Sequence, residues 1–246
     1  MSGDWTLTHG DCLDTLSGMA SLADKSVDHV ICDPPYGPQV DANYMTTVGK
    51  GPVSRGGKIV RRRLGIGVAD ESLIQGLAFH AGRLARRWVL VWTDEETAHA
   101  WRVALVGAGL QYLRTGWWLK TDPTPQFTGD RPATPGEVVV ICHADAKRAW
   151  NGGGKAGVWI APTVKGTSND RVHPTQKPLA LMESLIRDFT DPGELVLDPF
   201  AGSGTTGVAC RRMGRRFVGW ERDAKYHAIA ERRIGSAREQ LTLGVG

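Results

Sequence analysis

The chain has no long hydrophobic run. Its longest apolar stretches, Trp88–Trp92 and Val138–Cys142, have strand length, far below the ~20 residues needed to cross a bilayer, so no membrane partner is expected. A basic amino-terminal region followed by an apolar stretch is also missing, and a cytoplasmic protein is expected. Cysteine is scarce: the four, at 12, 32, 142 and 210, form no C-x-x-C pair and have no histidine at zinc-ligand spacing. That pattern argues against a metal site or a disulfide framework and fits reduced, buried thiols. Acidic residues are absent from Asn43 to Val68, where Lys50, Arg55, Lys58, Arg61, Arg62 and Arg63 lie. From Lys147 to Lys177, Asp170 is the single acid. Charge blocks of this kind fit either a polyanionic partner or a solvated loop. The net charge of +4 over 246 residues conceals them. With 41% hydrophobic residues the chain is too apolar for disorder and long enough for one large α/β domain or two small ones.

The pattern of what is present alternates between strand and helix, with no internal repeat. Val27–Cys32 is an apolar run halted by Asp33-Pro34-Pro35, because two prolines cannot continue a central strand. Residues 41–69 are rich in glycine, threonine and arginine, and read as a mobile basic loop. Asp70 caps a helix with apolar positions Leu73, Ile74, Leu77, Ala81, Leu84 and Ala85 at a 3.6-residue period. Trp88–Trp92 is a strand, and Thr93-Asp94-Glu95-Glu96 reads as a capping box opening a helix to Val106. Tyr112–Lys120 and Glu137–His143 read as an antiparallel strand pair. Periodicity is lost over Ala144–Val172, which reads as a small insert. Pro178 then opens a helix to Phe189, Asp191-Pro192-Gly193-Glu194 suits a type II turn, and strand Leu195–Leu197, helix Gly204–Met213, strand Arg216–Trp220 and helix Asp223–Leu241 follow. The implied fold is α/β: a mostly parallel twisted sheet with helices on both faces and an antiparallel hairpin at its edge.

Two motifs carry chemistry. A strand ending in Asp198 passes through Pro199-Phe200-Ala201-Gly202-Ser203-Gly204-Thr205-Thr206 into a helix, and a second strand ends at Glu221. Glycines let a ligand approach the backbone, and an acid at the second strand end accepts hydrogen bonds from ribose hydroxyls. The third glycine of G-x-G-x-x-G and the Gly-Lys-Ser/Thr of a phosphate loop are both missing. An acid at the mouth repels a pyrophosphate and holds an ammonium, which favours S-adenosylmethionine over a dinucleotide. The other motif is Asp33-Pro34-Pro35-Tyr36-Gly37, directly after a strand. The Asp33 carboxylate and the Pro34 carbonyl can each accept one hydrogen of a planar exocyclic amine, drawing its nitrogen toward sp3 character. Pro35 stiffens the turn, and the Tyr36 ring can stack on the base that carries the amine. The alternative for this motif is a plain strand terminator.

Asp33-Pro34-Pro35-Tyr36, then His173-Pro174-Thr175-Gln176-Lys177-Pro178, then the Asp198–Thr206 block resemble, in that order, the circularly permuted β class of DNA amino-methyltransferases. The resemblance implies a Rossmann-like methyltransferase fold and a catalytic turn of Asp33, Pro34, Pro35 and Tyr36. It implies an S-adenosylmethionine floor of Asp198, Phe200, Gly202, Ser203 and Gly204, with Glu221 on the ribose, Thr175 and Lys177 on the methionine carboxylate, and Asp11 of Gly10-Asp11-Cys12 near the adenine ring. Asp at the first catalytic position resembles adenine-N6 enzymes, whereas Ser there is usual for cytosine-N4. Cytosine-N4 methylation of DNA and a catalytically silent nucleic-acid-binding module are the alternatives. Lys50, Arg55, Lys58, Arg61, Arg62 and Arg63 are the expected DNA-phosphate contacts, on a lid over a base flipped from the duplex. Residues 144–172 would be the target-recognition segment of a single catalytic domain, 1–246. So short a segment fits a short recognition sequence, or a homodimer whose second subunit adds DNA contacts. Trp117, Trp118, Trp150 and Trp159 are open to two roles, a base-stacking wedge or core packing.

Overall fold

The computed structural model describes residues 4–37, 68–125, 129–145, 149–165 and 171–237. Among the described residues, eight strands form one sheet: β1 (Trp5–His9), β2 (His29–Cys32), β3 (Trp88–Thr93), β4 (Gln111–Lys120), β5 (Gly136–His143), β6 (Val158–Ala161), β7 (Leu195–Asp198) and β8 (Arg216–Glu221). Their order is β1-β8-β7-β2-β3-β5-β4-β6. Only β5 runs against its neighbours, antiparallel to both β3 and β4, while every other pairing is parallel. The helices are α1 (Glu71–Leu84), α2 (Ala98–Gly107), α3 (Leu179–Phe189), α4 (Thr205–Arg212) and α5 (Ala224–Ser236).

The central strands are apolar at successive positions because both of their faces are covered. On one face Val30, Cys32, Val89, Val91 and Val140 pack against Leu77 and Leu84 of α1 and Trp101 and Leu105 of α2. On the other face the alternate residues Ile31, Leu90, Trp92, Val139 and Ile141 meet Leu185 and Phe189 of α3, Val208 of α4 and Ile234 of α5. This is the two-residue period of a pleated strand. All four cysteines are free and buried. Among the described residues no helix is long and apolar enough to cross a membrane.

Several boundaries differ from the sequence expectation. Asp70 does cap α1, its carboxylate accepting from Leu73 N at 2.8 Å. Thr93, however, is the buried last residue of β3, and its hydroxyl meets Thr97 Oγ1 at 2.7 Å. The helix therefore opens at Ala98 with Thr97 as its N-cap, and Asp94 Oδ1 holds Thr97 N at 2.7 Å. Pro178 caps α3 rather than opening it, and the Asp191–Glu194 turn closes as expected, with Gly193 at φ +81°. Segment 144–172 contains strand β6, paired in parallel with Trp117–Lys120 of β4. The hairpin is consequently inside the sheet and β6 forms the edge. Strand β1 was not expected. The last helix ends at Ser236, and the expected residues beyond 237 lie outside the described ones.

Strands β2 and β7 are neighbours, and the chain proceeds outward from them in opposite directions, β2 to β3 and β7 to β8. Ligands bind α/β sheets at the carboxyl ends of the strands flanking such a switch point. Asp33 follows β2 there, and Asp198 ends β7.

Candidate active site

The turn after β2 is fastened from several sides. Gly37 N donates to Asp94 Oδ2 at 2.9 Å, tying the turn to the end of β3. Ala69 N donates to Tyr36 O at 2.9 Å, tying it to the segment that leads into α1. Its side chains meet a lysine from the loop before α3. Lys177, only 7% exposed, has its Nζ 2.7 Å from Asp33 Oδ1, 2.9 Å from the Tyr36 hydroxyl and 2.8 Å from Glu137 Oε2. Tyr36 donates its own proton to the same Glu137 oxygen at 2.6 Å. The other Glu137 oxygen lies 2.8 Å from Lys120 Nζ. The Lys177 ammonium also stands 5.1 Å from the Tyr36 ring centre and 5.5 Å from that of Trp92, within cation–π range.

Two carboxylates and two ammonium groups thus balance in a half-buried cluster. Burial opposes charge on Lys177, but the carboxylates of Asp33 and Glu137 outweigh it and hold the ammonium above the ordinary lysine value. Burial would raise Glu137, yet Lys177 and Lys120 draw it down to about 2. For Asp33 burial prevails: against Lys177, and with the charge of Glu137 adding to it, the carboxyl stays above its usual value. Burial, then the charges of Asp33 and Glu137, push the Tyr36 phenol well above its usual value, so it is a neutral donor.

The second half of the site is the loop from β7 to α4. Asp198 is 2% exposed, and burial pushes its carboxyl up to about 7 against hydrogen bonds from Thr206 and Phe200 N. Its oxygen accepts from Phe200 N at 3.0 Å, so it organises the loop from inside. Glu221, at the end of β8, accepts from Gly202 N at 2.9 Å and from Asp223 N at 2.8 Å, with burial raising its carboxyl. Each Glu221 oxygen retains a lone pair for a ribose hydroxyl. The two glycines differ. A Cβ on Gly202 (φ +54°) would meet nothing nearer than 3.9 Å, leaving room for a ligand, whereas one on Gly204 (φ +81°) would lie 2.9 Å from the Ala230 Cβ. Gly204 is thus required by the packing of α4 on α5. Ser203 is buried and turned toward α5, accepting from Arg233 at 2.9 Å.

Asp11, on the loop after β1, is exposed and accepts from Leu13 N at 2.9 Å. Thr175 N and Oγ1 each lie 3.2 Å from His173 Nδ1, and the His173 ring rests edge-on against Tyr226 with centres 4.2 Å apart. Burial, then the charge of Lys177, brings His173 down to about 4, so it is neutral near pH 7. The residues at the mouth fit a ribose-bearing, positively charged ligand: open space over Gly202, and the carboxylates of Glu221 and Asp11.

Lys177, expected on a cofactor carboxylate, directs its ammonium at Asp33, Tyr36 and Glu137, which sets it beside the turn after β2. Glu137, Lys120 and Asp94 were not singled out in the sequence. Asp94 follows an apolar strand at the same edge as Asp33 and shares that signal; Glu137 and Lys120 carry none. Trp118 and Trp159 are core residues, and Trp150 packs against Phe189 with ring centres 4.8 Å apart; Trp117 is 36% exposed. Lys50, Arg55, Lys58, Arg61, Arg62 and Arg63 lie outside the described residues.

A sequence profile described as DNA methylase matches residues 27–232. The chain is 26% identical over 248 residues to the Type II methyltransferase M.HinfI of Haemophilus influenzae, which covers 93% of this chain and 68% of that one. It is 28% identical over 253 residues to the Type II methyltransferase M2.DpnII of Streptococcus pneumoniae, covering 92% and 89% respectively. In three dimensions it is similar to the crystal structure of the M1.HpyAVI–SAM complex, with a TM-score of 0.70 at 24% identity, covering 94% of this chain and 98% of that chain. That last likeness is one of fold.

Proposed function

The chain belongs to the DNA methylase family, and on that premise we propose that it transfers a methyl group from S-adenosylmethionine to the N6 amine of an adenine flipped out of DNA. The observation that carries this reading is the adjacency of β2 and β7, which sets the Asp33 turn beside the Gly202 loop at the switch point of the sheet. Because the catalytic turn precedes the cofactor loop in the chain, the arrangement is assigned to the permuted β class. Residues 1–246 act as one catalytic domain, with 144–172 as its target-recognition segment.

S-adenosylmethionine, when bound, supplies the electrophilic methyl that the amine attacks. Asp33 keeps its second carboxylate oxygen for one amine hydrogen, and the Pro34 carbonyl takes the other, so the nitrogen lone pair is freed for attack; as the nitrogen–methyl bond formed, the methyl–sulfur bond would break, the cofactor leaving as the neutral thioether and the surplus amine proton passing to water. Tyr36, its hydroxyl fixed between Lys177 and Glu137, offers its ring face to the flipped base. Glu221 and Gly202 would hold the ribose end of the cofactor, and Thr175 its methionine end. Pre-organisation of this kind supplies much of the acceleration. The carboxylate at the first catalytic position is what favours adenine over cytosine.

The test is digestion of DNA after incubation with enzyme and cofactor, with the modified nucleoside identified by mass. N6-methyladenine is expected, and N4-methylcytosine would overturn the base assignment. Asp33→Ala should cut transfer by about 100-fold or more while calorimetry shows cofactor affinity within a few-fold of wild type. Loss of cofactor binding with turnover retained would reverse the assigned roles.

A further inference from the structure

We propose that Glu137 is a positioning residue for methyl transfer: by sharing Lys177 with Asp33, it lets the lysine orient the Asp33 carboxylate without neutralising it. The inference rests on the reading above and extends it to a residue outside all three sequence motifs.

Lys177 reaches Asp33, Tyr36 and Glu137 at 2.7, 2.9 and 2.8 Å, which uses every ammonium hydrogen. Asp33 as the sole anionic partner of Lys177 would form a one-to-one ion pair. The carboxylate would then be oriented but weakened as an acceptor for the target amine. Glu137 draws on the same ammonium, and the Tyr36 hydroxyl donates to the same Glu137 oxygen at 2.6 Å. A single carboxylate therefore fixes both the lysine that aligns Asp33 and the ring offered to the base. Lys120, 2.8 Å from the second Glu137 oxygen, holds Glu137 in place and balances the cluster. Glu137 is the second residue of β5, and its partner in the sheet register is Trp118 of β4, so rigid strands set its position.

Glu137→Gln keeps an acceptor for Lys177 and Tyr36 and removes the charge. Single-turnover methylation should slow by about 10- to 100-fold, the scale of a small misplacement of reacting groups, with cofactor affinity within twofold. Lys177 then acts on Asp33 alone, so the acid limb of the rate–pH profile should move to lower pH. The same displacement should appear in a carbon-13 NMR titration of the Asp33 carboxyl, a readout independent of turnover. Glu137→Asp should restore both in part. Glu137→Gln combined with Lys120→Met preserves the net charge of the cluster, so the effect stays readable if the single variant folds poorly. An Asp33 midpoint and a rate unchanged in both variants would overturn the proposal, as would a rate loss matched by equal losses of cofactor affinity and thermal stability. Absence of methyl transfer by the wild-type chain, with the Asp33 midpoint still displaced in Glu137→Gln, would overturn the functional reading and leave the coupling of Glu137 to Asp33 standing.

Discussion

Asp198 is an acid placed where a charge is costly. It is 2% exposed and held near a pKa of about 7 by burial, against about 3.8 for an ordinary aspartate. A carboxyl with a raised folded-state pKa favours the folded protein fully below its unfolded value. That contribution is lost as pH rises through the folded value. The window here is from about pH 4 to about pH 7. Asparagine keeps an acceptor for Phe200 N and has no charge to bury. The melting temperature of Asp198→Asn relative to wild type should therefore climb between pH 5 and pH 8, by a margin worth on the order of a few kcal/mol. A constant difference across that range would show that ionised Asp198 is not penalised. Asp33, Asp198 and Glu221 could be singled out in the sequence because each stands at the end of an apolar strand. Glu137 could not, because its partners lie at Tyr36, Lys120 and Lys177 and meet it only when β2, β4 and the α3 entrance assemble. Lys177 was found through its motif, but spacing does not reveal that its ammonium meets Asp33 and Glu137.

At the scale of elements, Asp94 joins the catalytic turn to the start of α2. Its two oxygens accept from Gly37 N at 2.9 Å and from Thr97 N at 2.7 Å. Asp94→Ala leaves both N–H groups without that acceptor, which should cost about 1–3 kcal/mol in a denaturant titration. It should also lower the methylation rate through a looser Asp33 turn. A variant that loses stability and keeps the wild-type rate would show that the turn holds itself. This link explains why the capping box at Thr93 misled: the acid beside it serves the neighbouring turn and the helix together. Central elements were legible because strands covered on both faces leave unbroken apolar runs, as in β2 and β3. Edge strands carried weaker signals. The Trp-Thr-Leu-Thr alternation of β1 is a half-buried pattern that its brevity concealed. β6 is four residues long, with Val158 and Ile160 exposed beside buried Trp159 and Ala161. The glycine-rich sequence before β6 hid it as loop.

For the whole molecule, the distribution of charge matters more than its sum. The carboxyl edge of the sheet carries Asp11, Asp33, Asp94, Glu137, Asp198 and Glu221. Asp33 and Glu137 are balanced there by Lys177 and Lys120, and burial raises the Asp198 carboxyl to about 7, so Asp11, Asp94 and Glu221 are the acids left to suit a cationic cofactor, and none of these groups favours a phosphate backbone. We propose the acid-free stretch from 43 to 68, with its six cations, as the source of affinity for DNA. Its flanking residues Gly37 and Ala69 are both fastened at the catalytic turn, by the Asp94 and Tyr36 O hydrogen bonds. Replacing Arg61, Arg62 and Arg63 by Ala should then weaken duplex binding while leaving the methylated base unchanged. Each lost phosphate contact should flatten the slope of log affinity against log salt by about 0.9. Titrations of wild type and the triple variant across a range of salt concentrations would measure this, and identical affinity and slope in the two proteins would remove these arginines from the DNA interface.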